Sequence, residues 1–278
     1  ISSQYVFDLL RKLYSNKVVI NSIIREKSFG VGFWGEMFNM TRAQKFLHNS
    51  INISDSSFSP LYEAKYFYHF DHRYATFEGK STENCMKGNT DYLTDIDKAD
   101  LKLPFFRYFV NRSEVISKCE KYELEKQWLL CVRSITSATN ERTVISAVIP
   151  KKGVGNSANI ALINEPLKAA HLIGTFNSLL TDFIAQTKVG NQNFNIYIIE
   201  QLPILAFDQK ILSATIIEKV LELIYTSWDI KPFADDVWKE ANADLKAAIT
   251  RQWEENKEST GGHEWEPPDW CERDVEGC

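Results

Sequence analysis

The stretch WLLCVRSITSATNERTVISAVIPKKGVGNSANIALI, residues 128–163, decides the fold class. Apolar and β-branched residues dominate 127–136, 142–150 and 158–163, which predicts three strands in close succession. The basic, glycine-rich stretch 151–157 predicts a turn between the last two strands. The chain lacks the strand–helix–strand alternation that builds a parallel nucleotide-binding sheet, so we expect a mixed or antiparallel sheet.

Helical patterns follow these strands. Residues 166–187 predict one long core helix that begins at a proline, a residue suited to the first helical turn. Its continuous apolar stripe consists of Leu172, Phe176, Leu179, Leu180 and Phe183. Residues 209–228 predict a second amphipathic helix and 235–255 a polar one. The expected class is α+β: a strand-rich, mixed or antiparallel domain with one long core helix, followed by a helical C-terminal region.

The remaining patterns divide the chain into segments. Residues 5–14 and 17–27 predict two short helices, or one helix broken near Ser15-Asn16. Residues 62–78 predict one or two aromatic-rich strands, and the residues before Pro203 predict another strand. The expected units are an N-terminal helical and linker segment (1–59), a central domain (60–206) and an acidic helical C-terminal region with a tail (207–278).

Composition favours an ordinary globular protein. The net charge is −5, but basic residues exceed acidic ones in 1–206 and the acidic excess lies in 207–278. A mildly basic body can carry a local phosphate-binding face that the total charge hides. The five cysteines form no C-x-x-C pair, which favours free thiols in a reducing compartment. No run approaches the roughly 18 apolar residues of a membrane span, and no secretory leader is evident. We therefore expect a cytoplasmic protein without a membrane partner.

The cluster HFDHR, residues 69–73, could suggest a metal or acid–base site. If this segment is a strand, His69, Asp71 and Arg73 share one face and His72 lies on the other, so the histidines do not converge on one ion. We expect an Asp71–Arg73 pair, with His69 and Lys65 freer to contact a ligand, and no metal site. A metal-dependent hydrolase at His69, Asp71 and His72 remains an alternative hypothesis.

Other catalytic signatures are missing from the sequence. It contains no G-x-x-x-x-G-K-[ST], G-x-G-x-x-G, G-x-S-x-G or H-E-x-x-H motif. Glu63-Ala-Lys65 matches the E-x-K half of a restriction-nuclease site, but this tripeptide is common by chance.

Three stretches, 60–79, 128–163 and 172–205, together resemble the C-terminal target-recognition region of large N6-adenine DNA methyltransferases. Such enzymes occur in type II restriction–modification and in phage defence. The similarity is strongest in PLYEAKYFYHFDHRYATFEG, in R-S-I-T-S-A-T-N-E-R-T and in the stretch that ends in E-Q-L-P. The chain departs from the family pattern at Ala64, Gln186 and Asn191, where Gly, Arg and Gly are usual.

The resemblance implies a DNA-reading region separated from its catalytic half. In that family, S-adenosylmethionine binds an upstream domain, and a [DNS]-P-P-[YFW] motif orients the flipped adenine. Here the Pro-Pro pair, Pro267-Pro268, lies between Glu266 and Asp269 and does not fit. We therefore expect no catalysis by this chain alone and no cofactor within it. The expected partners are double-stranded DNA and the methyltransferase domain of the parent protein.

The resemblance and the residue types together suggest DNA-contacting positions. Lys and backbone amides suit phosphates, and Asn or Gln can read adenine in the major groove. The candidates are Lys65, His69, Arg133, Thr136, Arg142, Lys151, Lys152, Gly153, Asn156, Lys188, Asn191, Gln192 and Asn193. An internal Arg142–carboxylate pair is at least as plausible as a DNA contact, and Thr136 could simply cap a turn.

Two further points stay open at this level. The polar segment 80–126 is where target-specific contacts would be expected, but no individual residue can be named there. The acidic helical end also fits a different class of function, a protein-interaction or scaffold module.

Overall fold

The computed structural model describes residues 4–15, 17–22, 28–42, 47–49, 55–99, 102–190, 193–207 and 211–259. Its helices are α1 (Gln4–Ser15), α2 (Thr82–Lys87), α3 (Asp95–Ala99), α4 (Arg112–Lys121), α5 (Pro166–Phe176), α6 (Leu179–Lys188), α7 (Ile196–Ile199), α8 (Ile211–Ile224), α9 (Lys231–Glu240) and α10 (Ala243–Ser259). Its strands are β1 (Val18–Val19), β2 (Gly32–Trp34), β3 (His48–Asn49), β4 (Phe58–Tyr62), β5 (Ala75–Thr76), β6 (Asp91–Tyr92), β7 (Tyr108–Asn111), β8 (Trp128–Arg133), β9 (Ser146–Pro150), β10 (Gly153–Val154), β11 (Ala158–Leu162) and β12 (Pro203–Ile204). The expected α+β class is confirmed.

The central sheet has the order β2-β11-β8-β9, and each of its pairs is antiparallel. Strands β8, β9 and β11 confirm the three strands expected in 128–163. Trp128 pairs with Pro150 at one end of β8, and Ala158 pairs with Arg133 at the other. The register therefore places the end of β8 beside the start of β11.

Strand β8 separates two hydrophobic cores. Trp128, Leu130 and Val132 lie in the core on the helical side, whereas Leu129 and Cys131 lie in the other core. This alternation follows from strand geometry, in which successive side chains point to opposite faces. Both faces of the sheet are therefore buried, which explains the nearly continuous apolar sequence of β8.

The second large sheet has the order β10-β4-β7-β3 and surrounds the second core, into which α4 also packs. Strand β10 is parallel to β4, and the other pairs are antiparallel. Beyond β4, the strand expected over 62–78 is wrong, because the chain forms a 3-10 turn and irregular segments, with only β5 as a strand. Phe70 has a φ of 62°, and the Tyr68 N–H donates to the Asp71 carbonyl, so a tight turn interrupts the alternation.

Two of the helices expected from the sequence are each divided in two, and a polar N-cap side chain starts the second helix of each pair. The helix expected over 166–187 is two helices, because the Ser178 Oγ accepts the Thr181 N–H and starts α6. The helix expected over 235–255 is also divided, since the Asn242 side chain accepts the Leu245 N–H between α9 and α10. Such N-caps satisfy donors that a helix leaves free at its start.

Two other expectations are wrong in type. The second N-terminal helix is replaced at its beginning by β1, which pairs with β12. The strand expected before Pro203 is mostly α7, and β12 begins only at Pro203. The expected helices over 5–14 and 209–228 are confirmed by α1 and α8.

The flanking segments share the helical-side core with the central one. That core contains Ile20 from the N-terminal segment, Leu130 from β8, and Ile230 and Val237 from the C-terminal region. Helices α8 and α9 pack against α5. Within the described ranges, no helix is both long and apolar enough to cross a bilayer.

Candidate nucleic-acid interface

Three connections meet at the end of β8. The loop after Arg133 bridges in antiparallel fashion to the segment before α7, through Ile135 and Asn193. The Phe194 N–H donates to the Ser134 carbonyl at 2.7 Å, and the Ser134 N–H donates to the Ser157 carbonyl at 2.9 Å. We call residues 134–141, 156–157 and 193–195 the loop edge. Asn191 and Gln192, both expected to contact DNA, lie outside the described residues.

The backbone behind the loop edge is held by hydrogen bonds to the side chains of Asp182 and Asn177. Asp182 is only 3% exposed, and its Oδ1 accepts the N–H groups of Thr143 (2.7 Å) and Val144 (2.8 Å). Asn177 Oδ1 accepts the Ser146 N–H at 3.0 Å, and Asn177 Nδ2 donates back to the Ser146 carbonyl at 3.0 Å. We overlooked both residues in the sequence, although a polar side chain in an apolar helical stretch was the available signal.

Arg142 belongs to this internal arrangement. Its Nη2 donates to the Asn177 carbonyl at 2.6 Å, and its Nε lies 3.4 Å from Asp182 Oδ2. The internal Arg–carboxylate pair is confirmed, with Asp182 as the carboxylate, whereas the neighbouring Glu141 is exposed. The guanidinium therefore orients the loop from inside.

Arg133 and His69 are also held internally beside the loop edge. Arg133 Nε donates to the Phe67 carbonyl at 3.1 Å, and burial lowers the pKa of this guanidinium. His69 Nε2 lies 2.9 Å from the Val144 carbonyl as an N–H donor, and burial lowers the pKa of the imidazole. The Thr136 side chain is buried. The side chains of Arg133, His69 and Thr136 therefore bond or pack within the protein beside the loop edge and do not project from it.

The turn expected over 151–157 is confined to 156–157, because 153–154 form β10 and Gly155 lies in a bridge to Phe38. Gly153 begins β10, and its N–H donates to Ser59 Oγ at 3.3 Å. The Gly155 N–H donates to the Tyr62 carbonyl and the Asn156 N–H to the Phe38 carbonyl, so these amides are not available to a phosphate. Of this stretch, Asn156 belongs to the loop edge and is exposed.

The predicted lysines lie apart from one another. Lys151 Nζ donates to the Leu124 carbonyl at 2.6 Å, and Lys152 follows at the far end of β9. Lys65 Nζ donates to the Gly88 carbonyl at 2.8 Å. Lys188 lies 5.4 Å from the Tyr14 ring centroid at the end of α6. Burial lowers the pKa of Lys65, Lys152 and Lys188. Lys188 ends α6, and its Nζ donates to Gln201 Oε1 at 3.5 Å, so within the described residues none of these four lysines bonds to the loop edge.

The exposed part of the loop edge is polar and rich in amides. Its exposed members include Asn140, Asn193 and Asn195, with Ile135 58% exposed beside them. Asn193 was expected from the sequence, whereas Asn140 and Asn195 were missed. The turn that contains Arg42 also adjoins the edge, since the Met40 N–H donates to Asn156 Oδ1 at 3.2 Å. The Arg42 side chain is 83% exposed, and its Nη1 lies 3.9 Å from Glu36 Oε1.

The cluster at 69–73 does not converge on one point. Asp71 Oδ2 pairs with Lys98 Nζ at 2.7 Å, whereas His72 Nε2 donates to Asp229 Oδ1 at 2.9 Å. The expected Asp71–Arg73 side-chain pair is wrong, because the buried Arg73 guanidinium donates to backbone carbonyls, including that of Thr226 at 2.7 Å. Within the described part of the chain, no three His, Cys, Asp or Glu residues are arranged to hold a metal ion.

The His72–Asp229 pair instead ties the central segment to the C-terminal region. His72 is fully buried, and Ser227 Oγ also donates to Asp229. Burial opposes ionisation of Asp229, but the hydrogen bond and charge of His72, with the Ser227 bond, lower the pKa of this carboxyl overall. Its ionised form therefore stabilises the folded state.

We expect Asp229→Asn to destabilise the protein by about 1–3 kcal/mol at pH 7. A lowered folded pKa contributes stability above the unfolded value of about 3.9, and this contribution is lost as the pH falls through the folded value. The difference in unfolding free energy between the wild type and Asp229→Asn should therefore decrease below about pH 4. Urea midpoints from pH 7 to pH 3 measure it, with the exposed Glu254→Gln as control. A gap that widens on acidification would contradict the pairing.

Comparison with known proteins adds no family. No protein-family model matches the sequence, and no curated protein matches it. The resemblance to adenine methyltransferases therefore stays a prediction from the sequence motifs.

Proposed function

We propose that this chain is the DNA sequence-recognition region of an S-adenosylmethionine-dependent, adenine-specific DNA methyltransferase of restriction–modification or phage defence. One observation carries the proposal. The stretches that resemble that family, although separated in sequence, meet at or just behind the loop edge. The second stretch supplies 134–141, the third supplies 193–195, and His69 of the first bonds to Val144 behind them.

The chemistry of the loop edge suits A·T base pairs. The side-chain amides of Asn140, Asn193 and Asn195 can each pair bidentately with the N6 and N7 edge of adenine. The exposed Ile135 offers an apolar surface to a thymine methyl group. Arg42, on the adjoining turn, suits a phosphate contact that fixes the register.

The proposal assigns catalysis to another part of the parent protein. S-adenosylmethionine would bind a separate methyltransferase domain, which would pair with this chain as its partner. The internal bonds of Arg133, Arg142 and Lys151 give them structural roles, so the base-reading role passes to the exposed amides.

Duplex binding tests the proposal. At low salt we expect the chain to bind duplex DNA with an affinity that falls steeply as salt rises. Selection from a randomised duplex pool should return a preferred sequence, and Asn140→Ala or Asn193→Ala should relax it at one base pair by about tenfold. Arg42→Ala should weaken binding to all sequences alike.

Gln4→Ala, an exposed amide on α1, serves as the matched control and should leave the preference unchanged. The proposal is overturned if the chain shows no duplex affinity at low salt. It is also overturned if Asn140 and Asn193 variants retain an unaltered preference. Adding the methyltransferase domain in trans should restore adenine methylation at the selected sequence.

A further inference from the structure

Four rings form a continuous series beside the loop edge, and we call them the aromatic ladder. His69 lies 4.6 Å from Tyr68 between ring centroids, Tyr68 lies 4.7 Å from Tyr74, and Tyr74 lies 4.8 Å from Tyr92. Tyr68 and Tyr74 are stacked with an interplanar angle of 20°. The separations are those of favourable aromatic pairs.

The ladder has one closed end and one open end. His69, at the closed end, is bonded to the Val144 carbonyl. Tyr92, at the open end, is 66% exposed although it lies in a strand, β6, which pairs with β5. Burial, with the neighbouring Tyr92, raises the pKa of Tyr74. The series of rings therefore reaches solvent through Tyr92, whose ring is tilted by 48° from that of Tyr74.

A cation lies beside the inner rings. The Arg133 guanidinium carbon is 5.3 Å from the Tyr68 centroid and 5.8 Å from the Tyr74 centroid. Its donors Nε and Nη2 bond to the Phe67 carbonyl, and among the described residues no carboxylate pairs with it. The ladder thus carries uncompensated positive charge, which complements a polyanion. Arg133 directly precedes the loop edge in sequence, and the closed end of the ladder bonds to Val144 behind that edge.

We propose that the open end of the aromatic ladder stacks on an unpaired nucleobase of bound DNA, with Tyr92 as the contacting ring. Aromatic rings bind bases through their π-faces whatever the base, and a nearby guanidinium strengthens such contacts. This inference rests on the proposed function, since the loop edge would bring the DNA to the ladder. The base would be one that leaves the stack, because a paired base presents only its edge to the grooves.

The experiment uses three oligonucleotides: a paired duplex, the same duplex with a single bulged 2-aminopurine, and a single strand that contains 2-aminopurine. Wild type should quench the 2-aminopurine fluorescence on binding. Tyr92→Ala should weaken binding of the bulged and single-stranded probes about tenfold and leave the paired duplex unchanged. Tyr92→Phe keeps the ring and should behave as wild type.

Met86→Ala, a similarly exposed apolar side chain on α2, is the control and should change nothing. Equal affinity of wild type and Tyr92→Ala for the bulged and single-stranded probes would overturn the ladder proposal and leave the duplex result standing. Tyr92-dependent binding of the single strand without any duplex binding would instead overturn the proposed function. Absence of binding to all three probes would overturn both. Unfolding midpoints confirm that each variant is folded.

Discussion

Replacing Asp182 with alanine is expected to lower the free energy of unfolding by about 3–5 kcal/mol, the cost of breaking a buried pair. The change leaves the N–H groups of Thr143 and Val144 without their acceptor. It also leaves the Arg142 guanidinium, 18% exposed, without its carboxylate. A buried donor that loses its acceptor has given up its hydrogen bonds to water without replacement, so each of these groups adds its full desolvation penalty.

Urea unfolding measures the loss of stability as a shift of the midpoint, provided that the m-value is the same for wild type and variant. Asp182→Asn keeps an acceptor oxygen for the two N–H groups and removes only the charge, so it should cost clearly less than alanine. Glu141→Ala removes an exposed carboxylate from the same loop and should barely move the midpoint. If the alanine and asparagine variants unfold at the same midpoint, the backbone bonds of Asp182 are not the main contribution.

The second large effect is expected at Glu63. Its side chain is 8% exposed and accepts bonds from Arg107 Nε at 2.7 Å and from Arg107 Nη2. Burial opposes the charge of Arg107, but the bond and charge of Glu63 raise its pKa overall. Glu63→Ala would leave Arg107 buried and unpaired, with Lys65 nearby as a second uncompensated cation. We expect a loss of about 3–5 kcal/mol.

A double-mutant cycle separates the pair from its surroundings. Glu63→Leu combined with Arg107→Met removes both charges, so the double variant should be more stable than Glu63→Leu alone, which leaves the Arg107 charge buried. Glu83→Ala breaks an exposed pair with Lys87 and should have almost no effect. Additive losses in the cycle would show that the two side chains do not stabilise each other. The E-x-K resemblance of Glu63-Ala-Lys65 is thereby explained by a structural ion pair.

Local patterns predicted the strands well where burial follows directly from composition. Strands β8, β9 and β11 are short apolar runs between polar loops, and nothing elsewhere in the chain is needed to specify them. The break at Ser178 was not predictable from the stripe, because Leu179, Leu180 and Phe183 continue the helical spacing across it. A capping side chain outweighs such a pattern only when the surrounding packing accepts the bend.

The candidate site was less predictable because its contacts are not local. Gly153 looked like an open turn, but its N–H reaches Ser59, which lies far away in sequence. Asn140 and Asn193 share one surface only because the two loops pair through Ile135. Sequence reasoning found Asn193 within a donor-rich turn, yet it offered no means of placing Asn140 beside it.

The double burial of β8 has a consequence for how the loop edge behaves. Because this interior strand supplies side chains to both cores, neither core can open without exposing the other, and unfolding is expected to be cooperative across the whole sheet. Asp182 and Asn177 accept hydrogen bonds from the backbone that follows the 134–141 loop. We therefore expect this loop to unfold together with the sheet. A ligand would therefore meet a preorganised surface, and little conformational entropy would be lost in ordering it on binding.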